Sequence, residues 1–325
     1  MRAVLCKEWS GPDKLAVEDV PVPPIRPGAV RVRVEAAGIN FADLLLVSGQ
    51  YQEKPPLPFT PGSEAGGVIS EVGAGVTTLK TGDRVMVLSG GGAFAEEVVV
   101  DLPRVYPISD KMDFSSAAGF PIVYGTSHGA LEWRARLQPG EWLLVHGAAG
   151  GVGLTAVEIG KAMGAKVIAC ASSPEKLAVA KQHGADHLLD YSREDIRERV
   201  KEITGGRGAD VIYDPVGGDV FDASLRSIAW GGRIIIIGFA SGRISQVPAN
   251  IALVKNIDVI GLYWGSYQKH KPEMVRQSFA RLFRWFDEGK LKPHVSHQLD
   301  LKDVAQAMNL LRERKSTGKV VLTTR

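Results

Sequence analysis

The eight residues His146-Gly147-Ala148-Ala149-Gly150-Gly151-Val152-Gly153 constrain the fold of this chain more than any other stretch. Before them runs Glu141-Trp142-Leu143-Leu144-Val145, short, apolar and preceded by Pro139-Gly140, as a buried parallel strand should be. After them Val152, Ala156, Ile159 and Met163 recur at helical spacing, and Gly164 offers a C-terminal stop. A glycine-rich turn between a buried strand and a helix lets the backbone bend sharply. It also leaves free amides at the helix start, open to a doubly charged ligand such as a dinucleotide pyrophosphate. In register the pattern is Ala148-x-Gly150-x-x-Gly153, with alanine in the first glycine position.

The text around the octet has two rhythms. From the start to about Pro121 it is β-rich and punctuated by glycine and proline, and Val30 to Glu35 alternates as a half-exposed strand does. From Ile122 it changes to strand, helix, strand. Strands are expected at Val167 to Ala169, His187 to Leu189, Val211 to Tyr213, Ile234 to Ile237 and Val259 to Leu262, which with the strand before the octet makes six. The expected fold is α/β: a doubly wound Rossmann sheet of six parallel strands over residues 122–265, and a β-rich, partly open barrel-like catalytic domain over 1–121 and 266–325. The tail, with helical patterns at Met274 to Phe286 and Leu301 to Arg312 and a strand at Lys319 to Leu322, is expected to return to that first domain.

Composition narrows the function. A net charge of +3 on 325 residues, with the basic side chains scattered, implies neither a nucleic acid nor a membrane surface as partner. No apolar run approaches the roughly 20 residues of a spanning helix. Met1 to Leu5 reads as a first strand rather than a cleavable signal. The only cysteines, Cys6 and Cys170, fall in strand-like segments and suit a reducing cytoplasm. They cannot form a four-thiolate zinc site.

The second parallel strand speaks to the nucleotide. An NAD-specific fold places a carboxylate at its tip, where it meets the ribose hydroxyls and repels a 2′-phosphate. Here the tip reads Ala171-Ser172-Ser173, followed by Lys176. NADPH is therefore expected over NADH. Ser172-x-x-Glu175 also has the form of a capping box, with Pro174 suited to a first turn.

Four segments together carry a family likeness across the whole chain. They are Ala37 to Asp43, Pro61 to Gly67, the octet, and Asp210 to Gly218. The chain resembles the zinc-independent quinone oxidoreductases, the zeta-crystallin-like branch of the medium-chain dehydrogenase/reductase superfamily. The zinc enzymes of that superfamily hold their metal through a cysteine near the position of Asn40 and a histidine where this chain has Ser63. Both ligands are missing, so no metal site is expected, and the acceptor must already be electrophilic: a quinone or another carbonyl-conjugated alkene.

The resemblance further implies that Asn40 and Tyr51 donate hydrogen bonds to the acceptor oxygen. It places Thr126 beside the nicotinamide and Gly150, Gly151, Val152 and Gly153 at the pyrophosphate. Ser172, Ser173, Lys176, Tyr191 and Arg314 would surround the adenosine phosphate, and Gly238, Phe239, Ser241, Leu262, Tyr263 and Trp264 would border the nicotinamide half. Asp43 and Glu64 read as buried or capping carboxylates. Relatives are often dimers, so a homodimer is expected. Two other readings remain open on sequence: an enoyl-thioester (enoyl-CoA) reductase, and an NADPH-binding structural or RNA-binding crystallin-like protein.

Overall fold

A computed structural model describes residues 1–324. The chain forms two compact units, 1–122 with 293–325 and 123–292.

The first unit is built around the long strand Ala29–Ile39. One of its edges pairs antiparallel with Glu64–Val72. The other is shared between Glu97–Asp101, along Ala29 to Arg33, and Lys319–Thr323, along Ala36 to Ile39. The sheet runs on through Arg84–Leu88 and Val105–Pro107 on one side and Val295–Asp300 on the other. Along Val30 to Glu35 the valines are buried while Arg31, Arg33 and Glu35 are not, the alternation expected of a strand with one face on a core. That core gathers Val30, Val32 and Val34 with Ile69, Val87, Phe94 and Leu322.

The second unit holds a six-stranded sheet in the order His187–Asp190, Lys166–Ala171, Trp142–His146, Ala209–Asp214, Ile228–Ile236, Asp258–Gly261. Every pairing is parallel. Numbered along the chain this is 3-2-1-4-5-6, the doubly wound arrangement. The order reverses between the strand ending at His146 and the strand ending at Asp214. The carboxyl ends of all six strands lie along one edge, where open sheets of this kind take their ligands.

The compact units divide the tail differently from the expected return at residue 266. Residues 266–292 stay with the parallel sheet, and the chain rejoins the first unit at Pro293. Specific contacts explain this. On the helix Pro272–Asp287, Ser278 Oγ lies 2.9 Å from His128 Nδ1 and Arg281 Nη1 donates to Glu132 Oε1 at 2.7 Å. Phe279 meets the ring of Trp264 edge-on, and Lys292 N donates to Glu158 Oε1 at 3.0 Å. At the other boundary Ile122 belongs to the first unit, its amide donating to Glu64 Oε2 at 2.8 Å.

No helix among the described residues is long and apolar enough to cross a membrane.

Candidate functional site

The octet forms the turn it promised. Gly147 takes the left-handed conformation, φ +58°, straight after the strand ending at His146. The turn is pinned by Ala148 N donating to Cys170 O at 3.1 Å and Gly150 N to Gly147 O at 2.9 Å. The helix Gly151–Ala162 then starts with Gly150 as its N-cap and no side chain capping its first amides. The amides of Gly151, Val152 and Gly153 lie in that turn, where a helix has no acceptor of its own to offer. A Cβ on Gly153 would lie 2.1 Å from Gly147 O, so only glycine lets the helix approach the turn this closely.

A chain of buried hydroxyls backs the helix start. Ser127 Oγ lies 2.8 Å from Thr155 Oγ1 and 2.9 Å from Tyr213 Oη, and donates to Val152 O at 2.9 Å. Thr126, one residue earlier, is buried on the same helix, Pro121–His128. His146 is packed rather than catalytic: fully buried, its Nε2 is 2.8 Å from Ser224 Oγ, and burial holds its pKa down.

At the second strand's tip the helix cap falls one residue later than the Ser172-x-x-Glu175 pattern suggests. Ser173 is the N-cap of the helix Pro174–Gln182 and accepts from Lys176 N. Proline forces the residue before it into extended backbone, and Ser173 has φ −159°, ψ 157°, the geometry of a cap. Ser172 is left outside the cap, and Lys176 sits in the first turn. Tyr191 N donates to Ala171 O at 3.1 Å, bringing Tyr191 to the same tip. Asp190 stands in register beside Ala171 on the third strand. Its Oδ1 is taken by Ser192 N at 3.0 Å and Ser192 Oγ at 2.6 Å.

The loops after strands five and six complete this edge. Ala240 N and Ser241 N donate to Pro215 O and Val216 O, tying the loop of Gly238, Phe239 and Ser241 to the switch point. Ser241 Oγ accepts from Arg243 N at 3.2 Å. Phe239 and Tyr263 are exposed, whereas Leu262 and Trp264 are buried. The Trp264 ring fills the notch over Gly125, where a Cβ would lie 2.3 Å from it.

In the first unit a buried polar cluster surrounds Asn40, the N-cap of the helix Phe41–Val47. Asn40 Nδ2 donates to Glu64 Oε1 at 2.8 Å, and its Oδ1 accepts from Lys319 Nζ at 2.7 Å. Asn40 N donates to Asp43 Oδ2 at 2.8 Å, so Asp43 is a capping carboxylate. Asn40, Asp43, Glu64 and Lys319 are all buried. Burial, with Glu64 nearby, pushes the Asp43 carboxyl up to about 7, against the Asn40 amide and the Lys319 ammonium. Tyr51 follows that helix, in a bend of intermediate burial. Arg314 also belongs to this unit, at the left-handed turn (φ +56°) that ends the helix Val304–Arg312.

The sequence reading does not single out Lys319 as a member of this cluster. Its one signal is a charge heading a strand, Lys319–Thr323, whose next three residues are all apolar and buried. Among the described residues no three His, Cys, Asp or Glu side chains gather as a metal would need.

The glycine-rich start fits a dinucleotide. The helix N-terminus carries no side-chain cap, the N-cap has no Cβ, and hydroxyls and a lysine rather than a carboxylate follow the second strand. Comparison with known proteins agrees in architecture. Residues 26–110 match the family model for an alcohol dehydrogenase GroES-like domain, and 151–284 that for a zinc-binding dehydrogenase. A quinone oxidoreductase-like protein 2 homolog of Nematostella vectensis is 48% identical over 100% of this chain and 89% of its own length. The quinone oxidoreductase of Pseudomonas syringae superposes with a TM-score of 0.92 at 37% identity, covering 99% of each chain. That of Escherichia coli, solved in complex with NADPH, gives 0.93 at 31% identity, over 99% of this chain and 100% of that one. This chain belongs to the quinone oxidoreductase family of the medium-chain dehydrogenase/reductase superfamily.

Proposed function

We propose that this protein is an NADPH-dependent oxidoreductase that reduces quinones or other carbonyl-conjugated alkenes without zinc. The observation that carries this reading is the uncapped glycine helix start at the switch point, beside a second strand tip of Ala171, Ser172 and Ser173 with no carboxylate. Gly150, Gly151, Val152 and Gly153 would hold the pyrophosphate on backbone amides. Ser172, Ser173 and Lys176, with Tyr191, would hold the adenosine phosphate. Thr126 and the loops carrying Gly238, Phe239, Ser241, Leu262, Tyr263 and Trp264 would border the nicotinamide. When bound, NADPH supplies the hydride.

The chain's own part is positioning and hydrogen bonding. With Asn40 and Ser63 where the zinc ligands of related dehydrogenases fall, the acceptor carbonyl meets a donor rather than a Lewis acid. Asn40 Nδ2, and Tyr51 from the bend beyond, would steady the oxygen as it gains charge. Such help suffices for an acceptor already conjugated to a carbonyl.

The test is NADPH consumption, followed by absorbance, with a simple quinone, an enone and crotonyl-CoA, each repeated with NADH. Turnover is expected with the quinone or enone and to be faster with NADPH. Consumption with none of the three would sink the enzymatic reading, turnover with crotonyl-CoA alone would make the protein an enoyl-thioester reductase, and preference for NADH would remove the phosphate site.

We also propose a homodimer formed along Asp258–Gly261, the open edge of the parallel sheet. Trp230 on the neighbouring strand, and Leu253 and Val254 on the preceding helix, are 76%, 75% and 71% exposed, an apolar surface that a second copy would cover. Gel filtration should give twice the chain mass; elution as a monomer at micromolar concentration would end the idea.

A further inference from the structure

The Lys319 ammonium spends all three of its protons inside the first unit. Nζ donates to Ile39 O at 2.6 Å, Asn40 Oδ1 at 2.7 Å and Glu64 Oε1 at 2.9 Å. Sheet register puts it there: Val320 pairs with Ile39, so Lys319 comes level with Asn40 as the paired stretch ends. Its stem runs across Gly119, where a Cβ would meet it at about 3.0 Å. Glu64 uses both oxygens as well, Oε1 for Asn40 and Lys319 and Oε2 for Ile122 N.

The two charges dictate which way round the Asn40 amide sits. An ammonium only donates, so the amide edge facing it must be the carbonyl; a carboxylate only accepts, so the edge facing it must be the NH2. The flipped amide would set NH2 against ammonium and carbonyl against carboxylate, two repulsions in a buried site. One N–H of Nδ2 is committed to Glu64, and the amide has a second to give.

We propose that Lys319 and Glu64 are a positioning pair that locks the Asn40 carboxamide in one flip state, so that its second Nδ2–H, and not its carbonyl, meets the acceptor oxygen. The proposal rests on the reading above of Asn40 as the donor to that oxygen. When hydride adds to a quinone or enone, the arriving electron pair ends on the carbonyl oxygen, which later takes a proton from water. A donor must therefore be in place before the charge is, and an amide free to flip would present a repelling carbonyl part of the time.

The experiment is a cycle of three variants, Asn40→Ala, the paired Lys319→Met/Glu64→Gln, and all three changes together. The paired change removes both buried charges at once, so neither is left alone. Asn40→Ala should lower kcat with a quinone by about tenfold to a hundredfold. The paired change should lower kcat less, about twofold for an amide divided equally between its two flips, with KM for NADPH unmoved. Added to Asn40→Ala, it should cost nothing further. The second neutral pair, Lys319→Gln/Glu64→Gln, whose amides can each donate or accept and so leave the flip free, must lower kcat in the same direction and guards against poor folding of the Met-containing variant. If Asn40→Ala lowers kcat but the paired change does not, or if the two effects multiply, Lys319 and Glu64 only support the fold and the proposal fails. If Asn40→Ala itself leaves kcat intact, the donor reading fails and takes the proposal with it.

Discussion

Gly153→Ala is expected to abolish tight NADPH binding and to lower the melting temperature of the free protein. The added methyl would lie 2.1 Å from Gly147 O, 2.7 Å from Gly147 C and 3.0 Å from Ala148 Cα. All three are backbone atoms, so no rotamer change relieves the clash. The turn cannot yield easily either, since it is tied to Cys170 O and closed by its own Gly150–Gly147 bond. The helix start must move away from the turn, at an overpacking cost of about 1–3 kcal/mol. Amides displaced from the pyrophosphate should weaken binding at least tenfold, about 1.4 kcal/mol.

Gly150→Ala is the informative companion. Its Cβ would meet only Gly147 O, at 3.3 Å, a tight contact that a shift of a few tenths of an ångström relieves, so melting should fall less than in Gly153→Ala. The methyl would nevertheless stand at the N-cap, in the path of any anion approaching the first turn. Fluorescence titration with NADPH, alongside melting curves without it, separates the two effects. Wild-type affinity in Gly153→Ala would show that the helix start is not the cofactor's anchor, and unchanged affinity in Gly150→Ala would show that nothing approaches the cap.

How far such a site can be read from sequence depends on whether its constraint is local. The parallel strands are legible because each is a short apolar run between turn residues, and the octet because its demands fall on neighbouring backbone. The cap at Ser173 is nearly legible: two adjacent serines compete, and Pro174 decides by forcing extended backbone on the residue before it. The place of 266–292 is not. The helix Pro272–Asp287 has a clear apolar stripe at Val275, Phe279 and Leu282, but a stripe does not say which core it will cover. His128, Glu132 and Glu158, more than a hundred residues earlier, decide that. Lys319 is hidden for the same reason, being 279 residues from the amide it holds.

Glu158 supplies the second large expected effect: Glu158→Leu should destabilise the protein by about 3–5 kcal/mol, as removal of one member of a buried polar hub does. The residue lies within the helix Gly151–Ala162 and is 3% exposed. Its Oε2 accepts from Tyr124 Oη at 2.6 Å; its Oε1 is 2.6 Å from His183 Nδ1 and accepts from Lys292 N at 3.0 Å. Burial, together with the Glu158 charge, raises the Tyr124 pKa, so the phenol keeps its proton and is the donor. Leucine would fill much of the volume and take that acceptor from three groups at once. Glu158→Gln, which retains one carbonyl oxygen, should cost less. The hub fixes the body of the helix whose first turn would hold the pyrophosphate, so its loss should act on stability first and on affinity only through the folded fraction. Saturating NADPH should then recover part of the lost stability by mass action. Urea denaturation with and without NADPH measures both quantities. A midpoint shift worth less than about 1 kcal/mol would mean that the helix is held by its apolar face alone, since hydrophobic packing supplies most helical stability in proteins.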